Sequence, residues 1–169
     1  VLFRSTVRNY IGDKRTFPSI EAGHKDTSNR RHQAAKLEEI NLKRIRRTRH
    51  NGGTRLIYND DPDLQVPCYK GKDNLFADVY GRMYWDKPAP TITTKFYSIS
   101  NGRFGHPKQN RAISLREGAT LQSFPMSYKF KANTQATIAK MIGNAVPPEL
   151  AKWIGKAIIK TAPSGTVQS

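Results

Sequence analysis

The chain has 169 residues, enough for one ordinary domain or two small ones, and only 37% are apolar, below the roughly 45–50% of globular chains. Its 29 Lys+Arg against 13 Asp+Glu leave a net charge of +16, a field that draws in polyanions and makes nucleic acid the leading partner. A single cysteine excludes an internal disulfide and a cysteine zinc cluster, and no apolar run approaches the ~18 residues of a membrane span, so the reading is cytoplasmic, without metal or membrane partner.

Val1-Leu-Phe3 reads as the tail of a buried strand continuing upstream, and no signal peptide is expected. Thr6 caps a short helix through Ile11, which Gly12 stops. From Ser28 or Asn29 a helix is predicted to about Arg47, with Ala34, Leu37, Asn41, Leu42 and Ile45 near one face. Its end is the basic run Arg44 to His50, either a nucleic-acid contact or a solvated arginine-rich helix end. Residues 1–55 hold 14 Lys/Arg against 5 Asp/Glu, a net +9, so the positive charge is front-loaded. Asn51-Gly-Gly53 breaks the chain, and Leu64 to Tyr69 is a possible strand between turn-rich stretches. Cys68 follows Pro67, but no base or glycine-rich turn flanks it, so it is not read as a nucleophile.

Asp78 to Tyr84 alternates as a strand, with Val79, Gly81 and Met83 on one face and Tyr80, Arg82 and Tyr84 on the other. Arg82 there either reaches a base edge or pairs with Asp78 or Asp86. Pro88 and Pro90 stiffen the next loop, which ends in Thr91-Ile-Thr-Thr-Lys95. Those hydroxyls and the lysine suit phosphate oxygens, although threonines are equally ordinary strand formers. Arg103 and His106 are the polar probes of the following loop. Ser114-Leu-Arg-Glu117 spells a capping box opening a helix to about Gln122, and Thr134 caps another through Met141. Pro147 and Pro148 open a last helix with Leu150, Trp153, Ile154, Ala157 and Ile158 as an apolar stripe, and Thr161 to Ser169 reads as a frayed tail.

Three stretches resemble the C-terminal half of a bacterial DNA (cytosine-5) methyltransferase of a restriction-modification system. Tyr80 to Thr94 is similar to the family's target-recognition segment, with Thr91-Ile92 as its Thr-hydrophobic pair. Arg111-Ala-Ile-Ser-Leu-Arg-Glu117 with Gln122-Ser-Phe-Pro125 resembles the ninth motif, and Ile142-Gly-Asn-Ala-Val-Pro147 the tenth. The resemblance implies an α+β architecture: a small loop-rich β recognition domain flanked by helices that complete a Rossmann-like, S-adenosylmethionine-dependent domain absent from this chain. Its divisions are 1–27 as strand end and link, 28–50 as a basic linker helix, 51–110 as DNA target recognition, 111–160 as returning helices, and 161–169 as tail. By position it implies Arg82, Thr91, Thr93, Thr94, Lys95 and Arg103 as DNA contacts, and Asn144 and Ala145 at the S-adenosylmethionine pocket. Arg111, Ser114, Arg116 and Glu117 are read as structural braces. The family's Pro-Cys nucleophile loop, Glu-Asn-Val segment and glycine-rich turn do not occur here, so the chain alone is expected to be inactive. Implied partners are double-stranded DNA and an N-terminal catalytic half, with self-association through the last helix as a further expectation. A non-catalytic DNA-binding subunit of a split methyltransferase is the alternative, and a basic RNA-binding protein the third reading.

Overall fold

Helix α3, Leu115–Leu121, is the element on which the rest of the chain closes, because five of its seven residues are buried. The computed structural model describes residues 5–28, 30–72 and 75–161, so the predicted strand tail Val1 to Phe3 and the tail after Thr161 lie outside it. The other helices are α1 (Val7–Ile11), α2 (Glu39–Arg47), α4 (Gln135–Gly143) and α5 (Pro148–Thr161), with 3-10 turns at Arg55–Tyr58, Pro67–Tyr69 and Ile99–Asn101. Local chemistry sets the helix starts. Asn9 takes both the N–H and the hydroxyl of Thr6, Ser114 and Glu117 cap reciprocally, and Thr134 Oγ1 accepts from the Thr137 N–H.

A helix start buried as deeply as that of α3 needs acceptors for every first-turn N–H. Leu115 and Arg116 donate to the carbonyls of Gln33 and Arg31, while Glu117 donates to the Ser114 hydroxyl. This overturns the helix predicted from Ser28 or Asn29: it begins only at Glu39. Residues 31–35 are not helical, with Arg31 at φ 54°, because their backbone is used elsewhere: the Ala34 N–H donates to the His24 carbonyl and the Ala35 carbonyl accepts the Gly23 N–H. Intrahelical bonding of 31–35 and capping of α3 are mutually exclusive.

The β expectation for 51–110 also changes. Among the described residues, pairing is limited to two isolated bridges, Arg82 with Gly105 (parallel) and Gly105 with Ala112 (antiparallel). Tyr80 sits at φ 58°, which breaks the alternation predicted for Asp78 to Tyr84, and Leu64 to Tyr69 forms turns rather than a strand. Hydrophobic burial instead gathers Val7, Ile11, Phe96, Ile113, Leu115 and Ile138 into one core, with a smaller cluster around Ile45, Ile99 and Ala112. Helix α5 stands outside both: Trp153 is 66% exposed and Ile159 76%.

Phe96, fully buried, packs its ring against Gly118, where an added Cβ would stand 2.2 Å from it. Gly118→Ala should therefore destabilise the chain by about 1–3 kcal/mol through overpacking, despite a helix-propensity gain of ~1 kcal/mol. Urea denaturation of the two proteins measures the difference.

Candidate nucleic-acid interface

The loop from Trp85 to Lys95 is fixed at both ends. At its start the Trp85 and Lys87 carbonyls accept the first N–H groups of α1, from Arg8 and Val7, and Arg8 pairs with Asp86 across 2.8 Å. At its end Ile92 is buried, and the Thr93-Thr94 peptide lies so close over Gly143 that a Cβ there would be 2.4 Å from the Thr93 carbonyl carbon. Thr91, Thr93 and Lys95 are consequently exposed and Thr94 is half-buried, and the Thr93-Thr94 peptide sits over Gly143, the residue before Asn144. An open groove of about 400 Å³ runs alongside, between Thr6, Tyr10, Pro90, Thr91, Gln122 and Pro147. Gln122 donates to the Ile142 carbonyl and Ser123, at φ 62°, accepts the Glu149 N–H, so the Gly143 to Pro148 turn is held from α3 as well.

Arg82 is not on this surface, which corrects its reading as a base reader. The side chain is fully buried, and its five N–H groups go to the carbonyls of Thr48, His106, Gln109 and Ile45 and to the Asn110 side-chain oxygen. No donor remains for a base. Burial lowers its pKa to about 10, which still leaves it charged at neutral pH. Arg103 is likewise turned inward: it holds Asp78 at 2.6 Å, donates to the carbonyls of Gly52 and Arg82, and lies over the Tyr84 ring. Reaching DNA would require breaking that set. The Tyr84 ring occupies the space beside Gly52, where a Cβ would stand 1.9 Å away, and Gly52 adopts φ 100°.

Arg111, Ser114, Arg116 and Glu117 are all fully buried at the start of α3. Arg111 forks onto Glu117 at 2.7 and 2.8 Å, and Glu117 also accepts the Ser114 N–H. Burial pushes the Glu117 pKa up, but the Arg111 charge and hydrogen bonds outweigh it and hold the carboxyl at about 2. Two histidines that sequence reasoning did not place here complete the cluster. His32 contacts the Ser114 hydroxyl at 2.9 Å, and His106, expected as a loop probe, is buried with Nδ1 accepting from Lys108 and Gln109. No local pattern marks their place in this cluster, because His32 meets Ser114 across 82 residues and the Nε2 of His106 faces Glu117 at 3.7 Å.

A family model, C-5 cytosine-specific DNA methylase, matches residues 4–160, nearly the whole chain. The chain belongs to this family. Among its relatives, the Type II methylase M.HgiDII of Herpetosiphon aurantiacus is 47% identical over 158 residues, which is 90% of this chain and 43% of that protein. Type II methyltransferase M1.BsuMI of Bacillus subtilis is 40% identical over 110 residues, 65% of this chain and 25% of that one. DNA (cytosine-5)-methyltransferase 3 of Arabidopsis thaliana is 34% identical across 92% of this chain and 12% of its own length. The chain thus spans less than half the length of the relatives it matches.

C-5 cytosine methylases generally use S-adenosylmethionine. The residues present suit one edge of such a pocket: Asn144 is exposed, its side-chain amide makes no hydrogen bond among the described residues, and the neighbouring Val146 is 62% exposed. A polar amide beside an open apolar side chain fits a nucleoside's rim. Cys68 is exposed on the Pro67–Tyr69 turn, and the described residues hold no group of three or more His, Cys, Asp or Glu placed for a metal. No described helix is long and apolar enough to cross a membrane.

Replacing Arg82 by Gln removes the guanidinium from four carbonyls, those of Ile45, Thr48 and His106 buried and that of Gln109 half-buried, and should cost more than about 3 kcal/mol. Denaturant midpoints measure that loss. The pH dependence follows from the cluster at α3. Burial lowers the His106 pKa to about 3, so its ring stays neutral in the folded chain and gains a proton on unfolding, and burial shifts His32 in the same direction. The unfolded chain therefore binds more protons below about pH 6.5, and stability falls as pH drops from there. Glu117 adds a second loss below its ordinary 4.5, towards about 2. Urea midpoints should be flat above pH 7, decline from pH 6.5 and steepen below 4.5, with His106→Gln removing part of the first decline.

Proposed function

We propose that this chain is the C-terminal, DNA-reading part of a DNA (cytosine-5) methyltransferase, and that the whole protein methylates cytosine at carbon 5 in duplex DNA within a restriction-modification system. The observation that carries the reading is the seating of Thr93-Thr94 on Gly143, which puts an exposed threonine-lysine loop next to Asn144. A residue set for gripping phosphate and a residue set for closing a cofactor pocket are thereby adjacent, as transfer between cofactor and DNA requires.

Each residue then has a task. Thr91, Thr93 and Thr94 donate hydroxyls to backbone phosphate oxygens near the target base, and Lys95 adds a charge. S-adenosylmethionine, when bound, supplies the activated methyl group, and Asn144 and Ala145 form one wall for it. Arg82 and Arg103 hold the recognition segment in shape and touch no base. Residues 51–110 are the recognition region and 111–160 return to the catalytic part, where the exposed apolar face of α5 packs against the portion of the protein outside this chain. The names of the two bacterial relatives, both type II enzymes, support the restriction-modification setting.

A chimera tests the reading: this chain replaces the matching segment of M.HgiDII, and transfer of labelled methyl groups to duplex DNA is assayed beside duplex binding by the chain alone. The expected result is cytosine-5 methylation, with Thr91→Val plus Lys95→Gln raising KM for DNA about tenfold or more, the equivalent of one charged hydrogen bond. A folded chain that neither binds duplex DNA nor supports transfer in the chimera overturns it.

A further inference from the structure

Three hollows adjoin along the N-terminal half of α4. Two, of about 440 and 640 Å³, lie between the 23–36 loop and residues 130–138 and share Arg31 and Thr134 in their walls. The third, about 370 Å³, continues past Thr137 to Thr94 and Lys95. Their walls hold Lys25, Arg31, Lys36, Lys131, Lys140 and Lys95, and no carboxylate.

These cations differ from the buried arginines in one respect. Among the described residues, none of the six makes an ion pair, whereas Arg8, Arg103 and Arg111 are each held by a carboxylate. The acid of the same loop, Asp26, does not face them in a pair, because its oxygens accept the N–H groups of Ser28 at 2.8 Å and His32 at 2.7 Å. Two donors in the walls of the first hollow, Arg31 Nε and Gln135 Nε2, are covered from water and have no acceptor. An unmet buried donor is costly, and an oxygen entering the hollow as the two side chains turn outward removes that cost. The Thr134-capped start of α4 opens on the same hollows, adding first-turn N–H groups and the positive end of a helix dipole. Every element of this surface favours a chain of phosphates.

We infer that the track from Lys36 through Arg31, Lys131 and Lys140 to Lys95 is a second phosphodiester-binding surface, holding the duplex backbone outside the recognition segment and independent of its sequence. It rests on the proposed DNA substrate and extends the grip of the Thr91 to Lys95 loop across α4.

The test is the salt dependence of the 169-residue chain binding a labelled random-sequence duplex of about 30 base pairs. Arg31→Gln with Lys36→Gln, and separately Lys131→Gln with Lys140→Gln, should each make the slope of log K against log salt shallower by about 1.8, two contacts at ~0.9 each. Thermal melting by circular dichroism confirms that both pairs remain folded. A control pair away from the track, Lys14→Gln with Arg15→Gln, should leave the slope unchanged. If wild type binds duplex and the track variants keep its slope, or the control pair loses as much, this inference falls and the methyltransferase reading stands. If wild type binds no duplex, this inference falls, and methyl transfer by the chimera decides the methyltransferase reading. Tighter binding to single-stranded RNA than to duplex, with the same slope losses, overturns the assignment to DNA.

Discussion

The order of the loop-rich half of this chain depends on one buried guanidinium. Arg82 joins Ile45 and Thr48 at the end of α2 to His106, Gln109 and Asn110 in the loop before α3. The last carbonyls of a helix lack intrahelical partners and carry the negative end of its dipole, so a cation is well placed there. Among the described residues no carboxylate pairs with Arg82, and the oriented carbonyl dipoles take that role. The backbone of the same residue makes one of the two bridges, so a single position supplies both ladder and cap.

The same solution recurs wherever a sheet would otherwise satisfy the backbone. Arg44 takes the carbonyls of Leu64 and Gln65, Arg55 those of Lys72 and Leu75, and Arg116 those of Arg30 and Tyr128. A guanidinium presents five donors in a fixed fork and can hold several carbonyls at once, whereas an ammonium is a strongly hydrated point charge. Among the described residues, the buried charged cations are arginines, and no lysine is buried. The net charge of +16 is therefore divided between an internal frame and an outer surface. Only the second part can act on a polyanion.

The starts of α1, α3 and α4 were legible because their caps are local: Thr6, Ser114 with Glu117, and Thr134 each act within three residues. Residues 31–35 were not legible as non-helical, since their apolar spacing fits a helix while the N–H groups that claim their carbonyls lie some 80 residues away at Leu115 and Arg116. Alternation around Arg82 was misleading for a related reason. Period-two spacing separates two faces but does not say which is covered, and a positive φ at Tyr80 cannot be read from a tyrosine. The exposure of Thr91, Thr93 and Lys95 was within reach of sequence, but the seating of Thr93-Thr94 on the turn that carries Asn144 was not. It depends on the missing side chain of Gly143, whose importance appears only when another backbone lies on it.

That contact also determines how the proposed interface behaves. A loop held at one end by the N–H groups of α1 and at the other by Gly143 loses little conformational freedom when it meets DNA, so less of the contact energy is lost to ordering. Its end cannot shift without moving the α4 to α5 turn, which Gln122 and Ser123 tie back to α3. In the proposed reading, DNA engagement at Thr91 to Lys95 and cofactor closure at Asn144 are thus one mechanical unit. The buried Arg111–Glu117 pair is the base on which that unit stands, because it fixes the start of α3 and hence the position of Gln122.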